Sequence, residues 1–81
     1  MAEIHRRIAA RIRREPDVIA ESRARLLQII EREPPPADPV LREWLDLLVM
    51  AEPPQIADFL ESGTPRARRL RSSSPLLWLG R

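Results

Sequence analysis

The chain has 81 residues, no cysteine and a formal net charge of +2. This length indicates one domain, and the missing thiols exclude disulfides and thiolate metal sites. One histidine, His5, cannot hold zinc without carboxylate ligands, so we expect no metal and no cofactor. No apolar run approaches a membrane span and no secretory h-region follows the basic N-terminus, so we expect a cytoplasmic protein without a membrane segment.

The charges fall into three blocks, and all fourteen basic residues are arginine. Residues 1–14 carry five arginines and one acid, residues 15–61 carry four arginines and eleven acids, and residues 62–81 carry five arginines and no acid. We therefore expect a basic helix at 1–14, core helices at 15–63, and a basic helix with an apolar tail at 64–81. Blocks of opposite sign can pair within the chain or each find a separate partner.

Proline marks the boundaries of the predicted helices, because it suits a first helical turn and breaks a helix interior. Asp38-Pro39 and Thr64-Pro65 are typical of a capped helix start. The sequence predicts an all-α fold, a small bundle of four to five short helices with proline-marked connections. The predicted helices cover 2–14, 16–31, 38–50, 53–62 and 66–72.

Apolar spacing assigns the faces of these helices. Ile4, Ile8 and Ile12 form a narrow stripe on the first helix, whereas the second has a broader one. The third helix is apolar almost all round, so we expect it to be central and expect helices two to four to carry the core. Gly63 is typical of a helix end.

No motif for catalysis is recognisable, so we expect that the protein is not an enzyme. With only two glycines there is no phosphate-binding loop, and one histidine cannot complete a nucleophile–base pair elsewhere in the chain. The arginines of the first helix are instead candidates for nucleic-acid binding. Alternatively they lie against the acidic middle of the same chain or of a second copy. They are Arg6, Arg7, Arg11, Arg13 and Arg14.

A second candidate surface is the C-terminal block. Its arginines have no acid nearby in sequence and no interleaved aromatic for base stacking, which favours an acidic protein partner as much as phosphate. The apolar run that follows is either an interaction anchor or a segment that folds back over helices three and four. The candidate partner-binding residues are Arg66, Arg68, Arg69, Arg71, Leu76, Leu77, Trp78 and Leu79.

The order of these pieces resembles small bacterial antitoxins or regulators encoded beside a toxin. The resemblance spans residues 4–75 and is carried by three segments of low specificity. They are Ile4-His5-Arg6-Arg7-Ile8-Ala9-x-x-Ile12-Arg13, Pro39-x-Leu41-x-Glu43-Trp44 and Arg66-Ala67-Arg68-Arg69-Leu70-Arg71-x-Ser73-x-Pro75. That family continues well past the Ser-Pro, so we expect any role of the longer segment to be reduced or absent here. The resemblance implies an inhibitor that masks an enzyme.

Three functions therefore remain open. The first is a protein-binding module, an antitoxin that neutralises a toxin enzyme. The second is a small nucleic-acid-binding transcriptional regulator. The third is a phage-type inhibitor of a host enzyme. A homo-oligomer is compatible with each, because a chain of this size often relies on a partner for stability.

Overall fold

The computed structural model describes residues 2–35 and 38–80. Arg81, the last residue of the expected basic block, lies outside the described residues. The described ranges contain five α-helices and a terminal 3₁₀ helix and no strand, which confirms the small all-α bundle. The elements are α1 (Ala2–Arg14), α2 (Val18–Arg32), α3 (Pro39–Met50), α4 (Pro53–Glu61), α5 (Pro65–Arg71) and the 3₁₀ helix (Leu77–Gly80).

Local side-chain chemistry fixes two of the helix starts as predicted. The Asp38 carboxylate accepts the Val40 backbone N–H at 2.9 Å. The Thr64 hydroxyl accepts the Ala67 N–H at 3.2 Å. In both cases a proline takes the first helical position, where its missing N–H costs nothing. α2 instead begins at Val18, two residues later than expected, because the chain first makes a turn.

The largest helix contact joins α1 to α4. Ile8, Ala9 and Ile12 of α1 are fully buried, as are Ile56 and Ala57 of α4. A narrow stripe suffices here because each helix brings an alanine, and small side chains let helices approach closely. The core thus extends beyond the segment 15–63 and includes the basic first helix.

α2 packs against α3, with the two helices antiparallel. The start of α2 and the end of α3 line one groove, which includes Ile19 and Val49. α3 is not surrounded as we expected. Trp44 and Leu48 are buried, but Val49 and Met50 are exposed, because no described segment covers this end of the helix.

The C-terminal segment folds back onto α1, and not over helices three and four as one of our alternatives had it. Gly80 lies so close to α1 that a Cβ there would sit 2.9 Å from Cγ1 of Ile4. A glycine is therefore needed for this approach, since any larger residue would push the side chain of Ile4 away. The 3₁₀ helix thereby closes one side of the core.

Candidate interaction surfaces

The apolar tail, proposed above as an anchor, is divided by the fold. Leu76 and Leu79 are almost completely buried, whereas Leu77 remains 40% exposed. Trp78 is half-buried, and the Arg25 guanidinium covers its ring at 3.9 Å from the centroid. A buried side chain cannot insert into a partner without local unfolding. The structure thus makes Leu76 and Leu79 part of the core, as the second alternative had it, but the tail lies against α1 and not over helices three and four. Leu77 is left as its exposed apolar side chain.

The C-terminal arginines are also mostly engaged within the chain. Arg66 and Arg69 both bond to the Glu43 carboxylate, at 3.1 and 2.9 Å. These bonds, led by that from Arg69, hold the pKa of Glu43 below its ordinary value, and Glu43 in turn raises the pKa of Arg69. Arg71 donates to backbone carbonyls at the end of α4. Arg68 is the exposed member for which the described residues supply no acid.

The arginines of α1 separate into two groups. Arg13 bridges to Asp58 and Glu61 of α4, at 2.8 and 2.6 Å, so part of the basic face does lie against the acidic middle of the same chain. Both carboxylates raise the pKa of Arg13, Asp58 more strongly. Arg6, Arg7 and Arg14 are exposed and form no ion pair with any described residue. These three remain available to an external anion.

A groove of about 500 Å³ runs beside α1. Three arginines of the helix line it, together with Ala10 and the end of the tail. The arginines are Arg7, Arg11 and Arg14. Arg11 is held in place by its bond to the Leu79 carbonyl at 3.2 Å and by Glu15 at 3.4 Å. The groove is therefore a cationic site in which one guanidinium is held by bonds within the chain and two have no ion pair with a described residue. We call it the α1 groove.

A second groove, of about 310 Å³, lies where α2 begins and α3 ends. Val49 lines it and is 55% exposed. Met50, the next residue in sequence, is outside the lining and is 83% exposed. Asp17 and Glu52 lie on its rim with a single arginine, Arg23. We call this apolar pair with its acidic rim the α3-end patch.

Sequence reasoning missed the α3-end patch. Val49 and Met50 lie in a helix that is apolar on almost every face, so the sequence predicted that they are buried. The apolar pattern alone does not show which of these faces another segment covers. One useful indication was available, since Ala51 to Pro54 force the chain to turn directly after Met50. A sharp turn leaves the last turn of a helix with fewer neighbours.

No protein-family model, curated protein or solved structure matches this chain. Among residues 2–35 and 38–80, no helix is long and apolar enough to cross a bilayer. In the same ranges no group of three acidic or histidine side chains is arranged to hold a metal ion. The described residues thus form a small helical protein with a cationic groove beside α1 and an apolar, acid-rimmed patch at the end of α3.

Proposed function

We propose that the protein is a protein-binding module, an antitoxin that docks on a toxin enzyme in the cytoplasm and blocks its active site. The observation that carries this proposal is the α3-end patch. Val49 and Met50 are adjacent and are the two most exposed of the large apolar side chains in the described residues, at 55% and 83%, above Leu27 at 45%. Exposed apolar side chains with a polar rim are typical of protein interaction sites.

The patch also indicates what the partner must offer. Its rim carries Asp17 and Glu52 against Arg23, so a complementary surface is an apolar socket with basic groups around it. Enzymes that bind phosphate-bearing substrates have cationic clefts of this kind. An antitoxin that inserts Met50 and lays its acidic rim on such a cleft would exclude the substrate.

This mechanism differs from the one the sequence favoured. From the sequence, we expected the C-terminal arginines and the apolar tail to bind the partner. Arg66 and Arg69 now serve to hold α5 on α3 through Glu43, and Leu79 holds the tail on α1. Arg68 and Leu77 can still contribute at the edge of a complex, but the flexible and exposed Met50 is the better anchor.

A comparison of Met50→Lys with Ile29→Lys tests the proposal. Met50 and Ile29 each lie in the last turn of a helix, where a cation is compatible with the helix dipole. Both side chains are exposed. Met50 stands between Val49 and Ala51, which line the groove, whereas neither neighbour of Ile29 in sequence lines it. Affinity for the product of the adjacent gene is measured by calorimetric titration, together with inhibition of that enzyme. Circular dichroism checks that both variants remain folded.

We expect Met50→Lys to weaken binding by at least about 30-fold, which corresponds to an interface hot spot of about 2 kcal/mol. Inhibition should be lost in parallel, and Ile29→Lys should behave like the wild type. Equal affinities of the two variants would reject the patch as the anchor. No complex with the wild type would reject the antitoxin assignment. Binding to a host enzyme instead of the neighbouring product would favour the phage-type inhibitor.

A further inference from the structure

We propose that the α1 groove is a second binding site, for the phosphate backbone of duplex nucleic acid. Arg7, Arg11 and Arg14 are its binding residues. This function is separate from the proposed protein docking, because the residues that line the α1 groove and those that line the α3-end groove do not overlap.

The spacing of the three arginines gives the site its form. Positions i, i+4 and i+7 lie on one face of an α-helix, and a rise of 1.5 Å per residue separates the first and last by about 10 Å. The guanidinium groups thus form a row along α1. A row of planar donors suits a series of phosphates, since each guanidinium can bond two phosphate oxygens.

Folding leaves two members of this row, Arg7 and Arg14, without an ion pair to a described residue, whereas Arg11 is paired with Glu15. Arg13 faces α4 and is bonded to Asp58 and Glu61, so it serves to fix α1 on α4. Arg7 and Arg14 have no carboxylate within salt-bridge distance among the described residues. Arg7 and Arg14 can therefore bind phosphate without breaking an ion pair to another described residue.

The lining of the groove favours phosphate over an acidic protein surface. Protein interfaces have apolar cores with few charges, and their hot spots are large side chains in pockets. Here the apolar contribution is the small side chain of Ala10, the backbone of Gly80 and the edge of the buried Leu79. The lining therefore offers no large apolar anchor and no apolar socket for one.

The same lining favours a duplex over a single strand. Single-strand binding relies on aromatic rings on which bases stack. The aromatic side chain nearest to Arg11 is Trp78, and the Arg25 guanidinium already covers its ring. We therefore expect this row of arginines to bind mainly the phosphate backbone, whose contacts carry no sequence information.

Fluorescence anisotropy with a short labelled DNA duplex of random sequence tests the site. With three phosphate contacts, the affinity should fall about 40-fold between about 50 and 200 mM salt, a log–log slope near −2.7. The double variant Arg7→Gln/Arg14→Gln should reduce this fall to about 3–4-fold. A matched control is Arg32→Gln/Arg42→Gln, which removes the same charge at two exposed arginines outside the groove and without ion pairs to described residues. The control should keep the wild-type slope.

The same measurement with other polyanions shows which kind of anion the groove binds. An RNA duplex tests whether the protein prefers one type of double helix, and a stronger complex with either duplex supports the proposal. Tighter binding to single-stranded DNA, or to polyglutamate with the same arginine dependence, would overturn it. So would a wild-type slope shallower than about −1 or an equal loss in the control variant. The dependence of the wild-type affinity on salt tests the proposal even if a variant does not fold.

Discussion

Replacement of Leu79 by alanine probes the closure of the core by the C-terminal tail. Leu79 is 2% exposed, and its carbonyl accepts a hydrogen bond from Arg11 of α1. Core leucine-to-alanine changes cost about 2–5 kcal/mol, depending on how far the site can collapse. Leu79 is near the chain end and can relax toward α1, so we place the cost at about 2–3 kcal/mol, the lower part of that range.

A loss of this size is large for such a short chain. About 1 kcal/mol shifts the melting temperature of a domain of this size by about 4–8 °C, so Leu79→Ala should lower it by roughly 10–20 °C. Small single-core domains rarely exceed about 3–5 kcal/mol of total stability. Melts are therefore best followed by far-UV circular dichroism in sucrose, which stabilises all variants through exclusion from the surface.

Leu77→Ala is the matched control, because it makes the same chemical change two residues away. Leu77 is 40% exposed, so less apolar area leaves the core and no sealed cavity forms. We expect its shift to be less than half of that for Leu79→Ala. Two variants with the same small shift would show that the tail does not close the core, and would restore the tail as a free anchor.

Two further predictions concern α3. Trp44→Phe should lower the free energy of unfolding in urea by about 1–3 kcal/mol, because it removes buried volume and the 2.9 Å hydrogen bond from the indole N–H to the Leu70 carbonyl. That carbonyl would then retain the longer hydrogen bond from the Ser73 N–H. An unchanged urea midpoint would contradict the buried position of Trp44. Glu43, whose pKa Arg69 depresses from 4.5, should stabilise the fold above pH 4.5 and lose that contribution as the pH falls through its lower folded-state pKa. The difference in melting temperature between wild type and Glu43→Gln should therefore shrink below pH 4.5, and a difference independent of pH would exclude the Glu43 contribution.

Features set by neighbours in sequence could be predicted well. The starts of α3 and α5 depend on a side-chain oxygen and on backbone N–H groups two or three residues away, so Asp38-Pro39 and Thr64-Pro65 were sufficient. The isoleucine stripe likewise gave the buried face of α1, because helical periodicity is a local property. The fold class followed from these elements together.

Features set by distant parts of the chain could not be predicted. Arg11 meets a carbonyl 68 residues away, and Arg66 and Arg69 reach an acid on α3. An amphipathic pattern predicts that the apolar face of a helix is buried, but it does not predict which segment packs against that face. The docking site that we propose shifted for this reason. Arg66 and Arg69 pair with Glu43 and Leu79 is buried, while Met50 is exposed at the turn after α3.

The block pattern of charge explains why two surfaces of opposite character remain. Folding uses α4 to neutralise Arg13 and uses Glu43 to neutralise Arg66 and Arg69. The first block nevertheless has more arginines than α4 can reach, so a cationic row stays along α1. Acids at the start of α2 and α4 are left without those arginines and border the α3-end patch. Since no side chain lines both grooves, the two partners we propose, a nucleic acid on α1 and a protein at the α3-end patch, would contact different residues.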